Sequence, residues 1–231
     1  MGNLESRTAY LLHARPFRET SVLIELFGVE CGKVSLVARG AKRPKSPFRG
    51  VLLPFQPMYA AWVGRSELKT LTRAEANTAP HALKGAALLC GFYLNELLMK
   101  LMPRDDAHEQ LFTRYVETLE SLQQESDPAP ALRRFEKHLL RELGYALILE
   151  REIESGREID PELSYIYQPE RGPVAASAEN GGPAIKGKTL LDILEDDYRD
   201  PVTLSQSKLL MRFLIAHHLG GKTLNTRNLF K

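Results

Sequence analysis

Residues 32–50 read GKVSLVARGAKRPKSPFRG, and the order of signals inside this stretch decides the fold. Lys33–Arg39 is a short run rich in Val and Leu, the signature of a strand. A turn at Gly40 follows, then a polar loop, and then Ser46-Pro47. Serine is a favoured N-cap and proline a favoured first helical residue, so a short helix over about 47–52 is predicted. Working outward, Thr8–Arg15 and Ser21–Phe27 read as two earlier strands, separated by turn signals at Arg15-Pro16 and Glu30-Cys31-Gly32. Pro57–Val63 and Glu67–Arg73 read as two later ones, joined at Gly64-Arg65. Three strands, a short helix and two strands is the order of an OB-fold barrel. The expected class is α+β, with an N-terminal OB-fold β-barrel over residues 1–79 and an α-helical domain over 80–231.

The same stretch is strongly basic. Between Gly32 and Gly50 stand Lys33, Arg39, Lys42, Arg43, Lys45 and Arg49, with no acidic residue among them. The whole chain has a formal net charge of only +2, but the halves differ: residues 1–80 hold 12 basic and 6 acidic side chains, the remainder 19 and 23. Such a front attracts a polyanion, and in an OB fold the third strand and its loop border the groove that takes single strands. Arg65, Lys69 and Arg73 are candidates to extend that track, and Lys222 and Arg227 are left unassigned. Phe48 and Tyr59 are the candidates for stacking on bases, whereas Phe55 and Trp62 read as core. Few stacking platforms beside many charges point to backbone binding with little sequence preference.

From Pro80 the periodicity becomes helical. Leu83, Ala87, Leu88, Leu94, Leu97, Leu98 and Leu101 mark a strongly apolar helix that ends before Pro103, and His108–Gln123 a second. Leu132, Phe135, Leu139, Leu140 and Leu143 form a third stripe, closed by Gly144. On that helix Arg133, Arg134, Lys137 and Arg141 form a charged face. With Leu132 they make a candidate groove for an acidic peptide with an apolar end, set against the plainer reading of a solvated helix face. Residues 150–187 are irregular, with a small hairpin expected from Tyr165-Ile166-Tyr167 and Val174–Ser177. Two more helices are expected, near Leu190–Glu195 and over Leu204–Leu219.

Several motifs carry less. Gly182–Thr189 matches the phosphate-loop pattern, which would make Lys188 and Thr189 the working residues of a nucleotide hydrolase. A functional loop of that kind follows a buried strand of a parallel sheet, and here polar residues precede it. His217 and His218 are adjacent, and side chains one position apart on a helix do not share a face, so no common metal ion is expected. Glu195-Asp196-Asp197 reads as a solvated helix end. Only Cys31 and Cys90 occur, which gives neither a disulfide framework nor a four-cysteine metal site and suits a reducing compartment, the cytoplasm. No leader segment is read at the start, and the match of Met1–Ser6 to a myristoylation pattern is taken as chance. The longest apolar run, Ala86–Leu94, is too short to cross a bilayer.

The ordered set of these segments resembles the bacterial RecO recombination mediator family. The matching pieces include Leu12–Ser21, Gly32–Val34 with Ala38–Ala41, Phe48-Arg49-Gly50 with Leu53-Pro54-Phe55, and Gly64–Lys69. They continue through Tyr93–Leu98, Leu132–Glu136, Leu143-Gly144-Tyr145, Leu219–Lys222 and Asn225–Phe230. The resemblance implies an OB fold followed by a helical domain with a small inserted module. It also implies a non-enzymatic mediator that binds single- and double-stranded DNA, anneals complementary strands and helps load recombinase onto coated DNA. Implied partners are RecR and the acidic C-terminal tail of single-stranded-DNA-binding protein. Some family members hold zinc with four cysteines in the inserted module; residues 150–187 contain none, so no cofactor is expected. A protein adaptor, with DNA secondary, is the alternative.

Overall fold

A computed structural model describes residues 6–176 and 181–226. By packing the chain forms two compact units, residues 1–126 with 224–231, and residues 127–223.

The first unit is built on five strands: β1 (Arg7–Phe17), β2 (Ser21–Gly28), β3 (Gly32–Ala38), β4 (Pro57–Val63) and β5 (Leu68–Ala76). They close into a barrel in the order β1-β2-β3-β5-β4. All pairings are antiparallel except β3 with β5, where Val37 lies opposite Thr70. This is the OB-type barrel expected of the strand order. Residues 47–52 form turns rather than the predicted helix: the amides of Arg49 and Val51 donate to carbonyls three residues back, and only Leu52 reaches four back to Phe48. Ser46 does cap the segment, its Oγ accepting from the Phe48 amide at 3.3 Å. The turns deliver Phe48 into the barrel core beside Ile24, Leu26, Leu36, Met58 and Leu71.

Strand β2 is buried on both faces. Ile24 and Leu26 face the barrel core, while Phe27 and Leu23 are also buried. Two helices account for this: α1 (Gly85–Leu101) and α2 (Glu109–Gln124). Phe112 and Tyr115 of α2 pack on Phe27 with ring centroids 5.3 and 5.8 Å apart, and both also meet Tyr10 of β1. Each such tilted or edge-on pair adds about 0.5–1.5 kcal/mol beyond area burial. The pairing of β1 with β2 shifts register between Leu11 and His13, and the shift frees carbonyls that need donors. Asn95 of α1 supplies them: its Nδ2 donates to the carbonyls of Leu11 and Leu12, and its Oδ1 accepts from Tyr115 Oη at 2.7 Å.

The end of the described chain returns to this unit. Glu96 of α1 accepts from the amides of Asn225 and Thr226 and from Thr226 Oγ1, and pairs with Lys100. Burial alone would raise its pKa, but Lys100 and these donors outweigh burial and bring it from 4.5 down to about 2. A depressed carboxyl stabilises the fold above its unfolded value, and the gain is lost as pH falls through the folded one. Amide protection at Asn225 and Thr226 is therefore expected to be full at neutral pH and to fade between about pH 4.5 and 2. Glu96→Gln should lower it already at pH 7, as hydrogen exchange would show.

The second unit comprises α3 (Ala129–Glu142), a three-stranded sheet of β6 (Ser164–Gln168), β7 (Gly172–Ala175) and β8 (Ala184–Lys186), then α4 (Gly187–Leu194) and α5 (Pro201–His218). The sheet order is β7-β6-β8. The predicted hairpin is β6–β7, with Ser177 lying outside the described residues; β8 falls where only loop was expected. Asp200 caps α5, its carboxylate accepting from the Val202 amide at 2.8 Å, with Pro201 in the first turn. The irregular segment before β6 is tied down by side chains. Tyr167 Oη accepts from the Ile148 amide and Tyr165 Oη from the Asp160 amide, both at 2.9 Å. Glu152 accepts from the amides of Glu154 and Ser155.

Candidate nucleic-acid interface

The register of β1, β2 and β3 brings one cluster of cations together. Phe17 lies opposite Ser21 in the first hairpin and Val22 opposite Ala38 in the second, so the β1–β2 turn and the exit of β3 meet at one rim. The loop after β3 is fastened there: the Lys42 amide donates to the Thr20 carbonyl at 2.9 Å, and Lys42 Nζ reaches the Arg18 carbonyl at 3.4 Å. Gly40 turns the chain at φ 68°, with the Arg43 side chain alongside it. The outcome is an open groove bordered by Phe17, Arg18, Arg39, Arg43, Leu68 and Thr70.

Arg39, Lys42, Arg43 and Lys45 are exposed, and among the described residues no carboxylate lies within 4.0 Å of any of them. Arg49 is also exposed, with one donor on the Pro44 carbonyl at 3.4 Å. Glu19 is the one acidic residue lining the groove, against Arg18, Arg39 and Arg43, and such an excess of unpaired cations is what a phosphodiester chain neutralises. Arg18 belongs to this group, although the sequence reading did not single it out. The signal was its place in the turn of the first hairpin, which the register sets beside Arg39. Phe17 borders the same groove, with the Arg18 guanidinium 5.3 Å from its ring centroid.

Other predicted residues lie elsewhere. Lys33 is buried, not on the surface: its Nζ donates to the Met99 carbonyl at 2.7 Å. That carbonyl is among the last four of α1, which have no partner inside the helix. Lys69 is ion-paired with Asp105, and Arg73 with Glu75 at 2.8 Å, so neither presents an uncompensated charge. Arg65 is exposed just after β4. Phe48 is core and cannot stack on a base, whereas Tyr59 is 42% exposed. Phe55 is buried as expected, and Trp62 is half-buried under Arg7. Lys222 is exposed in the second unit, and Arg227 lies outside the described residues.

In the second unit the predicted peptide groove is only partly at the surface. Leu132 and Arg133 are buried, and Arg133 Nη2 pairs with Glu136 Oε1 at 2.5 Å. Lys137 is half-buried, donating to the carbonyls of Ile193 and Leu194 at the end of α4 and pairing with Asp196 at 2.7 Å. Arg134 and Arg141 are exposed. Arg134 lies 5.6 Å from the Tyr198 ring centroid and borders an open groove shared with Glu195, Asp196 and Asp197.

The Gly182–Thr189 segment is not built to hold phosphate. The amides of Gly187 and Lys188 donate to the carbonyls of Leu163 and Pro161, and that of Lys186 donates to Gln206. Lys188 Nζ is neutralised by Asp192 and Asp200, and Thr189 is buried with its hydroxyl on Gln206. The segment itself contains β8, the three-residue edge strand of an antiparallel sheet, and so lacks the parallel-sheet context a phosphate loop needs. No helix among the described residues is long and apolar enough to cross a membrane.

Comparison with known proteins covers nearly the whole chain. Residues 1–79 match the family profile described as Recombination protein O N terminal, and residues 83–227 match Recombination protein O C terminal. A protein of Nitrosospira multiformis named DNA repair protein RecO is 49% identical over 231 residues, covering 98% of this chain and 95% of its own length. Proteins of the same name from Aromatoleum aromaticum and Dechloromonas aromatica are each 47% identical, covering 99% of this chain and 95% and 96% of theirs.

Proposed function

The chain belongs to the RecO family of recombination proteins, and on that premise we propose that it is a non-enzymatic mediator of DNA repair. In this reading the barrel binds single- and double-stranded DNA and anneals complementary strands. The observation that carries it is the groove where Arg18, Arg39 and Arg43 meet, with Lys42, Lys45 and Arg49 on the loop and turns that follow. Annealing requires no bond chemistry. It requires two polyanions to be brought together with their repulsion screened, and guanidinium and ammonium groups do that. Loading of recombinase onto strands coated by single-stranded-DNA-binding protein, and partnership with RecR, complete the proposed role. For the acidic tail of the coating protein, Arg134 and Arg141 are the exposed contacts on α3, while Leu132, Arg133 and Lys137 support them from within.

The test is a salt titration of single-strand affinity by fluorescence anisotropy. Each lost phosphate contact reduces the magnitude of the negative slope of log K against log salt by about 0.7, so Arg39→Ala/Lys42→Ala/Arg43→Ala should reduce that magnitude by about 2. Lys69→Ala, which removes a charge already paired with Asp105, should leave the slope where it was. A triple variant with unaltered affinity and slope would sink the proposal.

A further inference from the structure

We propose that Glu170, His217 and His218 form a binding site for a borderline divalent transition-metal ion, with zinc the best fit. The residues come from two elements of one compact unit: Glu170 from the tip of the β6–β7 hairpin, the histidines from the last turn of α5. Taking one ligand atom from each, all three lie within 4.8 Å of one another, and among the described residues this is the one such cluster. His217 Nε2 and Glu170 Oε1 are already 3.3 Å apart. Ligands at about 2.0–2.1 Å from a tetrahedral ion stand about 3.3–3.4 Å from each other, so this pair has the spacing of one tetrahedron edge. The remaining pairings need at most about 1.4 Å of closure to reach that spacing.

The two histidines are adjacent in sequence, yet each offers a ring nitrogen to the cluster. Their rings stand nearly perpendicular, at 85°, with centroids 5.2 Å apart, and the third ligand arrives from 47 residues upstream. Tyr145 stacks on His218 with centroids 3.9 Å apart and limits where that ring can turn. Glu170 and His217 are exposed and His218 is half-buried, so an ion enters from solvent and retains water in the fourth position. Two imidazoles and one carboxylate suit zinc and its borderline neighbours, whereas magnesium and calcium prefer all-oxygen sets. An ion bound here would pin the hairpin tip to the end of α5.

Calorimetric titration of the tag-free full chain tests this. One zinc ion per chain is expected, with no magnesium binding at the same site. Losing a direct ligand should weaken binding at least as much as losing an outer-sphere partner does, about 10–100-fold, in both Glu170→Gln and His217→Ala. Both residues are exposed, so the variants should keep the far-ultraviolet circular dichroism of the parent. Cobalt binding followed by its visible absorption provides a second readout that the same variants should abolish. Absence of stoichiometric zinc binding, or zinc affinity unchanged in both variants, would overturn the site.

Discussion

Gly32→Ala is expected to destabilise the barrel unit severely. Gly32 opens β3 at φ 61°, and a Cβ built on it would stand 1.7 Å from the Asp106 carbonyl oxygen. The left-handed conformation alone costs a non-glycine residue about 1–2 kcal/mol. The overlap is worse, because the obstacle is backbone and cannot rotate away. Residues 104–106 are fixed there by the Asp105 amide donating to the Lys33 carbonyl at 2.9 Å, and by Lys33 Nζ on α1. Either the β3 edge separates from this segment or the turn before it rearranges. A loss above about 4 kcal/mol is expected, a large share of the 5–15 kcal/mol that holds a typical domain. Gly50→Ala is the control. Gly50 also has positive φ, at 80°, but nothing lies within 4 Å of its would-be Cβ, so only the conformational cost should appear. Urea unfolding of the two variants separates steric from conformational terms. Equal losses in both would show that the close approach at Gly32 does not constrain the fold.

That contact also explains what the sequence could and could not convey. The barrel was readable because its strands carry local signals: short runs rich in Val and Leu such as Lys33–Arg39, with turns at Gly40 and Gly64. Helix limits were readable from Pro103 and Gly144 for the same local reason, whereas the start of α5 at Pro201 lies three residues before the expected Leu204. What covers β2 and β3 is not local. Lys33 looks like any surface lysine in a basic run until α1 ends beside it, 66 residues later in the chain. Phe48 looks like a stacking platform until the turns at 46–52 point it inward. Arg18 was overlooked because its neighbours Arg39 and Arg43 are set by strand register, not by sequence distance. The charge run was therefore a sound pointer to a face of the barrel and a poor guide to which side chains occupy it.

The same distinction governs α3, where Arg133→Ala is expected to cost the second unit about 3–5 kcal/mol. Four basic residues spaced along this helix resemble a solvated face, yet burial divides them sharply. Arg133 and Glu136 have side chains 6% and 1% exposed and form a pair inside the unit, while Arg134, one position on, is exposed. Removing the guanidinium leaves the Glu136 carboxylate in a low-dielectric interior without this cation, which is the costly half of the asymmetry in buried pairs. Replacing both partners by apolar groups of similar size, Arg133→Met with Glu136→Leu, should recover most of the loss, because neither charge then has to be desolvated. Arg134→Ala should change stability by no more than about 0.5 kcal/mol. Thermal or urea unfolding of the three variants measures these terms directly. A double variant no more stable than Arg133→Ala would refute the buried-pair account. The result bears on partner binding as well: weakened capture of an acidic peptide by Arg133→Ala would report loss of the scaffold, whereas the same weakening by Arg134→Ala or Arg141→Ala, with stability intact, would report a contact at the surface.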